Sequence, residues 1–163
     1  MRSSTVPVLL DADGLNAHAE RLGELREAGA AVVITPHEGE LGRLLGRPSD
    51  EIKAHRLASA REAATTSGAI VVLKGDDTIV AQPDGFAAIS PGATPAHATA
   101  GTGDVLSGVI GAMLAKEMDP FTAACAGVRL HALAGLRAAE RLNGPDGVVA
   151  SDVIAMLPLA LGG

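Results

Sequence analysis

The chain is organised around Ala98-Thr99-Ala100-Gly101-Thr102-Gly103-Asp104, a stretch that closes a long loop and opens the most apolar helical run in the sequence. Its two glycines allow the backbone to turn tightly and to bring bare N–H groups close to a ligand. The following helix directs its positive N-terminal end at the same point, and this combination favours an anion, most often phosphate. Asp104 suits a base that takes a proton from a hydroxyl attacking that phosphate. The alternative is that Thr102 or Asp104 only caps the helix.

The composition predicts one globular domain over residues 1–163. Apolar residues make up 47% and charged residues 20% of the chain, which permits a substantial core. The net charge of −6 argues against a nucleic-acid partner, because no basic surplus is present to neutralise a phosphate backbone. The chain has a single cysteine, no recognisable signal peptide and no apolar run long enough to span a membrane. We therefore expect a cytoplasmic protein without a membrane partner.

Short apolar runs alternate with helical patterns along the chain. Strands are predicted at residues 6–10, 31–34 and 69–73, followed by a hairpin of residues 78–81 and 86–89 around a Pro-Asp-Gly turn. Helices are predicted at residues 15–28, 36–45, 51–67, 102–116, 119–142 and 152–161. Strands that alternate with helices indicate right-handed crossovers and a parallel sheet, and hence an α/β fold.

Capping residues are predicted at three helix starts. Asp13 suits the first helix, Thr35 with Glu38 forms a capping box at the second, and Ser151 suits the last. The helix at residues 102–116 has large apolar residues on one broad face and small residues on the other, so we expect it to be buried on nearly all sides.

Segments with polar side chains follow the predicted strands and hairpin. They are residues 11–16, 35–40 and 74–78 and the glycine turn at residues 101–103. Ligands of such sheets bind at the carboxyl ends of the strands, so the four segments predict a single site.

The side chains in these segments suit a phosphorylated ligand. His37 and Glu40 are spaced to share one side of a helix start, where the histidine can hold a substrate and the glutamate can organise a water-bound Mg²⁺. Lys74 can reach a phosphate and Gly75 permits a close approach of the backbone, although this is not a Walker A loop. Asp11 and Asp13 can assist a metal, although Asp13 suits a turn or a helix cap equally well. The alternatives are a solvated helix terminus at residues 37–40 and a strand-ending turn at residues 74–78.

Other polar residues are interpreted from the sequence as structural. Asp76 and Asp77 are typical of a solvated turn, and Cys125 of a helix core. Three histidines have no partner at metal-ligand spacing and are interpreted as surface or core residues, namely His18, His55 and His131. A structural zinc site is not predicted.

Four motifs resemble those of the ADP/ATP-dependent NAD(P)H-hydrate dehydratases, a nucleotide-repair branch of the ribokinase-like superfamily. They are Asp-Ala-Asp-Gly-Leu-Asn at residues 11–16, Thr-Pro-His-x-Gly-Glu at 35–40, Leu-Lys-Gly-x-x-Thr at 73–78 and Gly-Thr-Gly-Asp-Val-Leu-x-Gly at 101–108. The last is shared with many small-molecule kinases, whereas the four motifs in this order are specific. The resemblance covers nearly the whole chain and implies a ribokinase-like three-layer α/β/α fold.

The resemblance implies repair of hydrated NADH or NADPH with Mg²⁺ and ADP or ATP. Phosphoryl transfer activates the ring hydroxyl, and loss of phosphate then restores the double bond; bacterial-type members use ADP and leave AMP. Asp104 is then the catalytic base, and the hydrated nucleotide contacts His37, Glu40 and Asp104. No direct metal ligand is implied, although Glu40 and Asp11 can hold the metal through water. The adenine nucleotide is held by Lys74, Gly75, Asp76, Asp77, Thr78, Gly101, Thr102 and Gly103.

Two departures from the family pattern affect these expectations. Ala100 stands where the family usually has glycine, which is harmless only if the backbone there has a negative φ. The N-terminal half of the family domain has no counterpart in the sequence, so we expect a fragment, a misplaced start codon or a chain completed by a partner. Homo-oligomers and an epimerase that acts on the same substrate are the partners that the resemblance suggests.

Two other functions remain open at this point. A ribokinase-like kinase for a vitamin precursor shares the glycine turn, and its product would keep the phosphate. A non-catalytic nucleotide-binding or oligomerising fragment would bind ADP without turnover.

Overall fold

Branched aliphatic side chains make up the first three strands of a five-stranded sheet in the computed structural model, which describes residues 1–91 and 101–162. Within these ranges the strands are β1 (Val8–Leu10), β2 (Val32–Ile34), β3 (Ile70–Leu73), β4 (Thr78–Ala81) and β5 (Ala87–Ser90). They lie side by side in chain order, with β1, β2 and β3 parallel and with β4 and β5 antiparallel to their neighbours. The α/β sheet with one hairpin is confirmed, and the sheet is mixed, because two of its four strand pairs are parallel and two are antiparallel.

Helices of the described residues connect and cover these strands. They are α1 (Asp13–Asn16), α2 (Glu38–Leu45), α3 (Ser49–Ala54), α4 (Arg56–Ser67), α5 (Thr102–Ala115), α6 (Pro120–Arg141) and α7 (Ala150–Leu161), with a 3₁₀-helix at Leu22–Glu27 between α1 and β2.

Successive strand residues point to opposite faces of the sheet, and both faces are buried against helices. Ile34, Val71 and Leu73 lie in one core cluster with residues of α2, α3 and α4. Val33 and Val72 lie in a second cluster with residues of α5 and α6, and α7 packs against α6 and α5. The predicted α/β/α layers, with helices on both faces of the sheet, are therefore confirmed.

Two predicted helices are interrupted. The helix at residues 15–28 is wrong, because α1 ends at Asn16 and Glu20 has φ +57, which a right-handed helix cannot accommodate. Leu22 and Leu25 then eclipse each other in the 3₁₀-helix, and both are buried. The continuous helix at residues 51–67 is also wrong, because His55 adopts φ −132 and ψ 40 and separates α3 from α4.

The predicted side-chain caps at three helix starts are wrong. Asp13 is the first residue of α1, and Asp11 instead accepts the Ala12 N–H at this turn, at 2.9 Å. Thr35 is fully buried beside the sheet, where its N–H donates to the carbonyl of Leu10, so α2 begins only at Glu38. The start of α7 precedes Ser151 and is fixed by the Val149 N–H, which donates to Asp152 Oδ2 at 3.0 Å.

Helix α5 is less buried than predicted. Its large side chains face the core, but Asp104, Gly108 and Ala112 are exposed. Small residues leave little apolar area to remove from water, so this side of the helix remains at the surface. In the part of the chain that the structure describes, every helix is too short or too polar to cross a membrane.

Candidate active site

Three strand ends meet at one edge of the sheet. Because β1, β2 and β3 are parallel neighbours, the residues that follow them lie together, as the sequence predicts. The Thr35 N–H donates to the carbonyl of Leu10 at 3.2 Å, and the Lys74 N–H donates to the carbonyl of Pro36 at 2.8 Å. These main-chain bonds fix the three segments relative to one another.

Lys74 lies at the centre of a charged network on this edge. Its Nζ is 2.9 Å from Asp11 Oδ1 and 3.8 Å from Glu40 Oε2. Ser107, on α5, donates its hydroxyl hydrogen to Asp11 Oδ2 at 2.6 Å, so the helix that follows the glycine turn is tied to the end of β1. A Cβ atom on Gly103 would lie 3.5 Å from Lys74 Nζ, which places the ammonium beside the glycine turn.

The network holds Asp11 in its ionised form. Burial alone would raise the pKa of Asp11, but hydrogen bonds from Ser107 and Lys74, the positive charge of Lys74 and the Ala12 N–H together bring it below its ordinary value of 3.8. Glu40 is buried with its carboxylate near the same ammonium. Two carboxylates thus share one lysine, which leaves an uncompensated negative charge when both are ionised.

His37 and Glu40 form the capping box of α2. The Nδ1 atom of His37 accepts the Gly39 N–H at 2.9 Å, and Glu40 Oε2 accepts the His37 N–H at 2.8 Å. The predicted shared side is confirmed, since His37 Nε2 lies 3.7 Å from Glu40 Oε2. Because Nδ1 is an acceptor, a neutral His37 carries its proton on Nε2, and its side chain is 54% exposed.

A cleft beside the network brings together part of the predicted nucleotide set. Its walls include Lys74, Gly75, Thr78, Thr102 and Gly103, and the remaining lining residues described are Ser90, Leu106, Val128, His131 and Ala132. The cleft therefore runs between the end of β3, the first turn of α5 and the face of α6.

The remaining predicted residues flank this cleft. Asp76 and Asp77 are exposed in the loop after β3, as a solvated turn requires. Gly101 is the N-cap of α5 with φ +88, a conformation that favours glycine. Asp104 is exposed in the first turn of α5. Residues 98–100 of the motif, including Ala100, lie outside the described residues.

Three residues that the structure places here are missed by sequence reasoning. Ser107 binds Asp11, and the available signal is its position three residues after Asp104 on α5. His131 is interpreted from the sequence as a structural residue, but it lines the cleft from α6, where its three-residue spacing from Val128 is the signal. Arg56 contacts the loop after β3, and no local pattern indicates this. Among the described residues, His, Cys, Asp and Glu do not group in threes as a metal site.

Comparisons with known proteins show which family the sequence matches. The family model described as NAD(P)H-hydrate dehydratase matches residues 1–159. A bifunctional NAD(P)H-hydrate repair enzyme Nnr of Thermofilum pendens is 44% identical over 161 residues, which cover 98% of this chain and 30% of that protein. An ADP-dependent (S)-NAD(P)H-hydrate dehydratase of Neisseria meningitidis is 39% identical over 149 residues, which cover 90% of this chain and 50% of that protein.

A solved structure matches the fold over almost the whole chain. It is the ADP/ATP-dependent NAD(P)H-hydrate dehydratase of Bacillus subtilis, co-crystallised with ATP and Mg²⁺, with a TM-score of 0.86 and 34% identity. The match covers 96% of this chain and 54% of that one. The chain therefore spans about half the length, or less, of these relatives.

Proposed function

Because the chain belongs to the NAD(P)H-hydrate dehydratase family, we propose that it acts in the ADP- or ATP-dependent dehydration of the S form of hydrated NADH or NADPH. The products are NADH or NADPH, phosphate, and AMP or ADP. The observation that carries the proposal is the position of Lys74 Nζ beside Gly103, where the first turn of α5 meets the end of β3. Residues 1–163 are taken as one ribokinase-like domain.

The cleft supplies the features that a diphosphate needs. The first N–H groups of α5 are directed out of the helix, and its dipole favours an anion at the same end. Lys74 adds a positive charge, while Gly75 and Thr78 line the same cleft. We assign the adenine nucleotide to residues 74–78 and 101–103.

Asp104 is proposed as the base. The ring hydroxyl oxygen of the hydrated nucleotide attacks the terminal phosphorus of ADP, its proton passes to the Asp104 carboxylate, and AMP leaves. The C–O bond of the phosphorylated intermediate then breaks, phosphate departs, and loss of a proton from the neighbouring carbon restores the ring double bond. We assign to His37 a hydrogen bond from Nε2 to the hydrated nucleotide, and Glu40, which accepts the His37 N–H, holds His37 at the helix start.

The residues present also fit a hydrated Mg²⁺. Asp11 and Glu40 share a single ammonium and so offer excess negative charge made of oxygen donors, which Mg²⁺ prefers. Both carboxylates already accept hydrogen bonds, so we assign them to the metal's water ligands. Bound Mg²⁺ would neutralise charge on the transferred phosphoryl group.

Partners follow from the substrate and from the longer relatives. We propose a cytoplasmic location, where both nucleotides are available, and an epimerase that converts the other form of the hydrate. A second copy of the chain is the proposed oligomeric partner.

The test is recovery of NADH absorbance from hydrated NADH in the presence of ADP and Mg²⁺. Asp104→Asn is expected to lower the rate at least about 100-fold while leaving the affinity for ADP unchanged. The matched control is Asp146→Asn, which alters an exposed loop carboxylate and is expected to keep full activity. Binding of ADP by the wild type without recovery of NADH would contradict the proposal.

A further inference from the structure

Arg56 closes the loop that follows β3. It is the first residue of α4, directly after the break at His55, and its side chain is only 15% exposed. Its guanidinium donates to the carbonyl of Asp77 at 2.5 Å and to those of Leu73 and Lys74, each at 3.4 Å. One side chain thus holds both ends of this short loop.

The same guanidinium reaches the substrate side of the site. It donates to Oε1 of Glu38, the first residue of α2, which is half-buried. Glu38 directly follows His37, the proposed contact of the hydrated nucleotide. Arg56 therefore connects the start of α2 with the loop that borders the nucleotide cleft.

The guanidinium of Arg56 occupies the space beside Gly75. A Cβ atom at this position would lie 2.4 Å from Nη1 and 2.5 Å from Nη2 of Arg56, closer than side chains approach one another. The absence of a side chain at Gly75 thus allows the guanidinium to lie flat against the loop. A side chain at position 75 would therefore displace the guanidinium from the loop.

We propose, on the basis of the function proposed above, that Arg56 is a positioning residue that holds residues 74–78 in the shape that binds the adenine nucleotide. It does so through the backbone carbonyls of the loop. Its ion pair with Glu38 couples this shape to the start of α2. The planar, multiply donating guanidinium is required, because a lysine ammonium cannot reach three carbonyls and a carboxylate at once.

The experiment compares Arg56→Met and Arg56→Lys with a matched arginine control, Arg26→Met. Arg26 also binds backbone carbonyls, those of Thr65 and Thr66, but at the far end of α4. Both Arg56 variants are expected to raise the Kd and the KM for ADP roughly tenfold or more, with a smaller change in the KM for hydrated NADH. Arg26→Met is expected to lower the Tm while leaving the Kd for ADP unchanged.

Coupling to α2 is tested with Glu38→Gln, which keeps Arg56 and its loop contacts. Alone, it is expected to raise the Kd for ADP about threefold, and in combination with Arg56→Met it should add nothing further. If Arg56→Met does not fold, the Kd of Glu38→Gln for ADP still tests the coupling. Fully additive effects, or an unchanged Kd in Glu38→Gln, would overturn the coupling.

Calorimetric titration with ADP separates this inference from the proposed function, because it needs no turnover. If the wild type binds ADP without dehydrating the hydrate and Arg56→Lys weakens that binding, the positioning role stands while the proposed reaction fails. If the wild type is active, and if Arg56→Lys is folded and binds ADP with the wild-type Kd, then the positioning role is overturned while the proposed reaction stands. A wild-type chain that does not bind ADP overturns both.

Discussion

The Nζ atom of Lys74 lies 2.9 Å from Oδ1 of Asp11, although the two residues follow strands that are not neighbours in the sheet. Lys74 follows β3 and Asp11 follows β1, so the ion pair spans the end of β2. Ser107, which lies on α5, donates a hydrogen bond to the other oxygen of the same carboxylate. Asp11 therefore joins three elements of the site, which goes beyond the water-mediated metal role that the family resemblance suggests.

Asp11→Asn is expected to lower the free energy of unfolding by about 2 kcal/mol, because it weakens the charge-assisted hydrogen bonds that the Asp11 carboxylate accepts from Lys74 and Ser107. Urea unfolding of the variant and the wild type measures this change. Asp13→Asn, a change at an exposed residue without a side-chain cap, is the control and should have little effect. A loss below about 0.5 kcal/mol in Asp11→Asn would place the ion pair among ordinary surface pairs.

The pH dependence of this contribution follows from the lowered pKa of Asp11. The folded state favours the ionised carboxylate, so the stabilisation is present above the ordinary value of 3.8 and is lost as the pH falls through the lower folded value. The stability difference between the wild type and Asp11→Asn should therefore be constant above about pH 5 and shrink below about pH 4. A difference that disappears already near neutral pH would contradict the assignment.

His37 combines two tasks that substitution can separate. Asparagine can accept the Gly39 N–H as His37 Nδ1 does, whereas alanine cannot. His37→Ala is expected to cost about 1 kcal/mol of stability, and His37→Asn a few tenths at most. Both variants should lose most NADH recovery, because neither offers an Nε2 donor. Full activity in His37→Asn would show that the imidazole only caps α2.

The close approach of α5 and α6 depends on Gly127. A Cβ atom there would lie 2.5 Å from Cγ1 of Ile110, inside the core. Gly127→Ala is expected to destabilise the fold by about 1–3 kcal/mol. Gly111→Ala is the matched control, since nothing lies within 4 Å of its Cβ position, and it should stabilise α5 by up to about 1 kcal/mol. Equal effects of the two changes on thermal unfolding would contradict the packing described.

Local patterns explain why the strand ends are predicted correctly. The apolar runs before Asp11, Thr35 and Lys74 mark three strands, and parallel neighbours bring their carboxyl ends to one edge. Likewise, the Pro-Asp-Gly turn fixes the hairpin of β4 and β5. These features depend on short stretches of sequence and on rules of sheet geometry.

The start of helix α2 is harder to predict from the sequence, because two local patterns compete. Thr35 with Glu38 and His37 with Glu40 both have the spacing of a capping box. The choice is made by tertiary pairing, since the Thr35 N–H donates to the carbonyl of Leu10 and keeps Thr35 beside the sheet. A sequence pattern within α2 does not contain this information.

The contacts of Arg56 also depend on tertiary structure. Its partners Glu38 and Asp77 lie 18 and 21 residues away in opposite directions along the chain. The predicted continuous helix at residues 51–67 hides the break at His55 that places Arg56 at a helix start. Ser107 is likewise 96 residues from Asp11, its partner. Such pairs require the fold itself.

The most direct test of the proposed reaction is to count AMP, free phosphate and NADH in a single reaction of the wild-type chain with ADP, Mg²⁺ and hydrated NADH. Dehydration by way of phosphoryl transfer predicts that the three form in equal amounts and that no phosphorylated nicotinamide nucleotide accumulates. Formation of AMP with a stable phosphorylated product would instead identify a kinase and contradict the proposed function, as would recovery of NADH without AMP.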